Sequence, residues 1–147
     1  MSGFPAVVLE REFPVPVERV FQAWTDPLHL SRWFRGSSET LIESAETDVR
    51  VGGRYRIVIR SESDQFIVFG TYSAVEPPTL LEFTWQWEVS SLEPAETLVR
   101  VELSPTAAGT HLRLTHTNFS TERSSQAHDG GWLRVLASLE SYLGQNS

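Results

Sequence analysis

From Leu81 to Glu88 the chain alternates without a break: Leu81, Phe83, Trp85 and Trp87 interleave with Glu82, Thr84, Gln86 and Glu88. Successive side chains of an extended strand point to opposite faces. This segment therefore carries a leucine and three aromatics on one side and only polar groups on the other. Such a strand belongs to a sheet with one covered and one wetted face, which is the antiparallel arrangement. Weaker copies of the pattern recur along the chain. Val7, Leu9, Arg11 and Phe13 form a first strand that Pro14 and Pro16 end. Thr40 to Val49 reads as a second, and Gly52-Gly53 is a hairpin signal before Tyr55, Ile57 and Ile59. Phe66 to Val75 follows and is broken by Pro77-Pro78. Beyond the aromatic strand come Val99, Val101 and Leu103, and then Leu112, Leu114, His116 and Asn118 on one face.

Three segments change to helical spacing. Pro16 suits the first position of a helix, and Val17, Val20, Phe21 and Trp24 follow as one apolar stripe. Asp26-Pro27 is a cap followed by a first-turn proline, so a second short helix carries Leu30, Trp33 and Phe34 up to Gly36-Ser37-Ser38. Near the end, Trp132, Val135, Leu136, Leu139, Tyr142 and Leu143 form a long stripe. Seven strands, two short helices after the first strand and a long C-terminal helix make an α+β fold. The terminal helix is the only element long enough to cover the sheet, and a curved sheet around one helix tends to leave a gap.

Composition narrows the function classes. A chain of 147 residues suits one domain. It has no cysteine, which excludes disulfides, thiol nucleophiles and thiolate-bound metals. Twelve basic residues, all arginine, stand against nineteen acidic ones for a net charge of −7 with no basic tract. Neither nucleic acid nor an anionic membrane is an expected partner. The N-terminus has no basic segment followed by an apolar run, so the expected location is cytoplasmic.

Four ordered stretches carry a family resemblance. They are Val20-Phe21-Gln22-Ala23-Trp24-Thr25-Asp26-Pro27 running to Trp33-Phe34, and Asp48-Val49-Arg50-Val51-Gly52-Gly53-Arg54-Tyr55. The third runs from Gly70-Thr71-Tyr72 through Glu76-Pro77-Pro78 to Phe83-Thr84-Trp85, and the fourth from Gly109-Thr110 through Leu114-Thr115-His116 to His128 and Gly131-Trp132. Together they resemble the activator-of-Hsp90-ATPase-homologue branch of the START-like (SRPBCC) superfamily. The resemblance implies a helix-grip fold, in which a seven-stranded antiparallel sheet grips the last helix around a cavity. It implies a small apolar, ring-bearing ligand, or alternatively a chaperone as partner. It implies no cofactor.

The residues offer the matching candidates. Tyr55, Tyr72, Phe83, Trp85 and Trp87 face inward from the sheet, and Trp24, Trp33, Phe34, Trp132 and Leu136 come from the helices. They are either core packing or the lining of a pocket. His116 shares the covered face with Leu112 and Leu114. It is either a core histidine satisfied by the backbone or a neutral polar anchor that keeps one nitrogen for a ligand. His128 precedes Trp132 by one turn and is either a partly exposed helix-end residue or a group at the cavity mouth. Gly130-Gly131 is unfavourable within a helix. It signals a helix that starts late or a close approach of helix backbone to ligand or sheet. Arg11 shares the face of Leu9 and Phe13 and reaches solvent, an internal acid or an acidic ligand. Arg54, Arg56 and Arg60 lie on the outer face, with Glu46 and Asp48 as expected cross-strand partners.

Catalytic and metal signatures are absent: there is no HExxH, phosphate loop or GxSxG elbow. His111 and His116 differ by an odd number and point apart, against a two-histidine metal site. Acid–base catalysis by His116, as in a cyclase or hydrolase, is the remaining enzymatic reading. The state of assembly is monomer or homodimer, with Trp33-Phe34 as a possible dimer contact.

Overall fold

The computed structural model describes residues 6–35, 40–89 and 93–145. The boundary read at Gly36-Ser37-Ser38 lies outside them. In chain order the elements are β1 (Val7–Phe13), α1 (Val17–Thr25), α2 (Pro27–Trp33), β2 (Leu41–Thr47), β3 (Arg54–Arg60), β4 (Gln65–Glu76), β5 (Leu80–Trp87), β6 (Thr97–Pro105), β7 (Thr110–Thr117) and α3 (Glu122–Gln145). The strands form one sheet in the order β1-β7-β6-β5-β4-β3-β2, and every neighbouring pair is antiparallel. This is the helix-grip architecture that the alternation and the resemblance imply.

The register aligns the inward residues in rows across the sheet. Tyr72 stands opposite Phe83, Phe83 opposite Val99, Val99 opposite His116 and His116 opposite Val7. All five are buried. α3 covers this face with Trp132, Leu136, Leu139 and Leu143, while α1 and α2 add Val20, Trp24, Leu30 and Trp33 to the same core. The hydroxyl of Tyr142 and Nδ1 of His29 are hydrogen-bonded and tie α3 to α2.

Local signals account for most boundaries. Asp26 caps α2 by accepting from the Leu28 amide at 2.9 Å, with Pro27 in the first turn. Pro16 takes the cap position of α1 rather than its first turn, because its ψ of 153° keeps it extended. At the β2–β3 connection Gly52 has φ +87°, which favours glycine. α3 starts at Glu122, well before the apolar stripe that reveals it in sequence. Gly130 and Gly131 are therefore interior helical residues, and the late-start explanation for them fails. Asn118 leaves the inward face: it follows the end of β7 with φ 73°, is exposed, and yields its place to the buried Phe119.

The outer arginines pair across strands with partners other than those expected. Arg60 meets Glu43 and Arg56 meets Glu88, while Asp48 is taken by Arg50. Glu46 does stand opposite Arg56 in register, as expected, and Glu43, at the register shift between Ile42 and Ser44, reaches Arg60. Arg11 turns its guanidinium onto the Glu10 carbonyl at 2.6 Å. Trp33 and Phe34 are buried, so they offer no dimer contact.

At Gly70 the backbones of β4 and β5 leave no room for a side chain, since a Cβ there would lie 2.0 Å from the Thr84 carbonyl oxygen. Gly70→Ala should destabilise the fold by about 1–3 kcal/mol through forced separation of the strands. Thermal unfolding measures this, and a wild-type midpoint would show that β4 and β5 part without strain.

Candidate functional site

The inward aromatics form two groups, of which the larger is a continuous cluster. Trp85 is its hub, with ring centres 5.1 Å from Trp132, 5.4 Å from Trp87 and 6.0 Å from Phe34. Trp24 extends it to Trp33 at 4.9 Å, and Tyr55 and Tyr72 form a separate group with Phe83, whose ring meets both edge to face. Such rings supply large buried area and favour tilted contacts.

Two spaces open among these rings. The first is an interior recess of about 20 Å³ walled by Trp24, Leu30, Phe34, Thr47, Tyr55, Ile57, Tyr72, Phe83 and Trp85. That is room for roughly one water-sized group. The second is a solvent-open groove of about 710 Å³ between the sheet and α3. Phe34, Ile59, Phe66, Trp85, Trp87 and Val89 line one side together with the polar Arg35 and Thr40, and Ala127, His128, Gly131, Trp132, Arg134 and Val135 line the helix side. Phe34 and Trp85 border both spaces.

The candidates thus separate. Trp24, Tyr55, Tyr72 and Phe83 wall the recess, and Trp87, His128 and Trp132 line the groove. Trp33, His116 and Leu136 border neither. Trp33 and Leu136 are fully buried core residues, and Val135 takes the groove position one residue before Leu136.

His116 also lies in the core, with both nitrogens occupied. Its Nδ1 accepts from Trp132 Nε1 at 3.0 Å. Its Nε2–H donates to Thr97 Oγ1 at 2.7 Å, and that hydroxyl in turn donates to the Trp85 carbonyl at 2.9 Å. The expected free nitrogen for a ligand, or for proton transfer, is therefore already used. Burial holds the imidazole pKa well below its ordinary value, and nearby His128 lowers it further.

His128 is buried inside α3, not at its end. Its Nδ1–H donates to the Ser124 carbonyl at 2.8 Å, and its Nε2 accepts from Trp87 Nε1 at 3.1 Å. Burial lowers its pKa against the opposing pull of the Ser124 carbonyl and Glu93. Glu93 is the polar residue that sequence reasoning missed. It has no exposed surface, and it accepts from Ser120 Oγ at 2.6 Å, the Ser120 amide at 2.8 Å and Ser124 Oγ at 2.7 Å. Burial pushes its pKa up, but the hydrogen bonds from Ser120, Ser124 and Ala95 outweigh it and hold the carboxyl below its usual range. Ser124 lies four residues before His128, a spacing that becomes visible only once α3 is known to start at Glu122.

Gly131 gives the groove its helix wall. A Cβ built there meets nothing within 4 Å, and one at Gly130 meets only the Arg134 guanidinium at 3.6 Å. Neither glycine is required by close packing on the sheet. No group of three or more His, Cys, Asp or Glu side chains able to hold a metal occurs among the described residues. No described helix is long and apolar enough to cross a membrane.

Comparisons with known proteins agree with this architecture. The family described as activator of Hsp90 ATPase homolog 1-like protein matches residues 14–144. Among solved structures, a protein of Chromobacterium violaceum superposes with a TM-score of 0.84 at 22% identity, over 94% of this chain and 96% of that one. An AHSA1 protein of Silicibacter pomeroyi gives 0.83 at 26% identity, over 97% and 100%. The AHSA1-like protein of Aeromonas hydrophila gives 0.79 at 25% identity, over 97% and 94%. Comparison with curated proteins finds no match.

The buried polar groups dictate an acid response. His116 and His128 bind protons more weakly folded than unfolded, so their contribution to stability is full above the unfolded value of 6.5 and declines as pH falls below it. Glu93 adds a second decline below 4.5. Urea midpoints measured from pH 8 to pH 4 should fall in those two windows, and a flat profile through pH 6 would contradict neutral buried imidazoles. His116→Phe should lower stability by about 1–3 kcal/mol, because it strands Trp132 Nε1. A wild-type midpoint for that variant would show that the Trp132–His116 bond contributes nothing.

Proposed function

The chain belongs to the activator of Hsp90 ATPase homolog 1-like family, and we propose that it is a one-domain cytoplasmic protein that binds a small apolar, ring-bearing ligand between sheet and α3. The observation that carries this reading is the groove. Its volume suits a drug-sized molecule, its walls are mainly aromatic and aliphatic, and it has few polar groups. Gly131 supports it further. An interior helical glycine is about 1 kcal/mol less favourable than alanine, and here its missing side chain leaves helix backbone open to the groove. The engaged nitrogens of His116 favour binding over catalysis at that residue.

A second reading keeps a chaperone as partner. Phe66 and Val89 are exposed large apolar residues on the groove rim, a feature common to protein-contact surfaces. Native mass spectrometry of the purified protein separates the two. A retained apolar ligand favours the first, and ligand-free protein that stimulates a chaperone ATPase favours the second.

N-phenyl-1-naphthylamine should bind saturably and quench tryptophan emission. Trp85→Ala should weaken it by roughly tenfold, the loss of one aromatic contact surface. Gly131→Phe should fill the groove and abolish binding. Gly130→Ala, beyond the groove lining, should raise stability by about 0.5–1 kcal/mol and leave affinity unchanged. Binding no stronger than to an unrelated folded protein would remove the ligand-binding reading.

A further inference from the structure

The five tryptophans divide by the fate of their indole N–H. Trp33 donates to the Ala23 carbonyl, Trp87 to His128 and Trp132 to His116. Trp24 and Trp85 are buried, and their Nε1 atoms have no partner. Buried donors without acceptors are rare in folded proteins and destabilising where they occur. These two occur together on the wall of the same recess. Of the three hydroxyls on that wall, two are turned elsewhere, with Tyr55 donating to the Thr84 carbonyl and Thr47 to the Thr25 carbonyl, and Tyr72 is the third.

Size and charge restrict what can meet these donors. The recess has room for about one oxygen-sized group, whereas the adjoining groove takes a whole ring system. Among the described residues no ionised side chain lines the recess, so a carboxylate there would be desolvated without a counter-charge from them. We propose that Trp24 and Trp85 are the polar end of the ligand site and donate hydrogen bonds to a neutral acceptor oxygen. The ligand class is then a flat aromatic bearing a carbonyl-type oxygen, its rings in the groove and its oxygen in the recess. This rests on the binding reading above. It requires movement of the Phe34 ring, which together with Trp85 borders both spaces.

Fluorenone and fluorene share one tricyclic skeleton and differ in the carbonyl. Titration calorimetry on the full chain should give about tenfold tighter binding of fluorenone, the size of one net hydrogen bond. Trp24→Phe and Trp85→Phe keep an aromatic ring and remove the donor, so each should bring the affinity ratio of the two probes towards one. The infrared carbonyl stretch of fluorenone bound to wild-type protein should lie below its value in cyclohexane, a readout independent of whether the variants fold. Equal affinities for the two probes, or an unshifted stretch, would overturn the donor assignment and leave apolar binding intact. Equal affinities would assign the recess to a resident water alone. If neither probe binds, the binding reading falls and the assignment falls with it.

Discussion

A neutral imidazole on β7, one strand in from the edge of the sheet, holds the layers of this protein together. His116 on β7 accepts from Trp132 on α3 and donates to Thr97 on β6, whose hydroxyl reaches the backbone of β5 at Trp85. One side chain thereby links three adjacent strands to the helix that covers them. Its donor and acceptor directions are opposite and both are used, so only one tautomer satisfies the arrangement. Apolar contacts alone would allow the helix to slide along the sheet. The directed bond from Trp132 sets where α3 lies, and with it the width of the groove beside Gly131.

A second polar chain runs beside the first and carries the opposite proton arrangement. His128 is protonated on Nδ1 toward the Ser124 carbonyl and accepts on Nε2 from Trp87. The two imidazole rings lie 5.0 Å apart, both buried, so charging either raises the cost of charging the other. The charge of Glu93 beneath Ser124 favours a charged His128, but burial outweighs it, and the carboxylate oxygens are met by two seryl hydroxyls and backbone amides. A fully bonded carboxylate fixes the start of α3 instead. The interior polar groups therefore act as positioning elements, and the open chemistry of the site is left to the aromatic walls.

The fold was largely legible because it is written in periodicity. Period-two segments gave the strands, and Asp26-Pro27 marked the α2 start that the structure has. The start of α3 was hidden because residues 122–131 carry serines, glycines and charges rather than an apolar stripe, and it is the buried hydrogen bonds of Ser124 and His128 that use that turn. The site was legible in residue type but not in partition. Alternation puts His116 and Trp85 on the same face, yet it cannot tell that one is saturated and the other has an unpaired indole, since that depends on Thr97 and Trp132 arriving from distant elements. Glu93 gave no signal at all, because a loop glutamate is ordinarily solvated.

The strand order has a consequence for how the chain acquires its shape as it is made. β2 to β7 follow one another as neighbours, but β1 pairs with β7, so Val7 finds its partner only at His116. During synthesis β1 is made before the other strands and pairs only after β2 to β7 have followed it. Until then its apolar residues and those of α1 lack the core that will cover them. Sheets closed by such distant pairings fold slowly, and incomplete chains expose adhesive surface. A nascent chain that still lacks β7 therefore carries an unpaired first strand, whatever else of the sheet has formed.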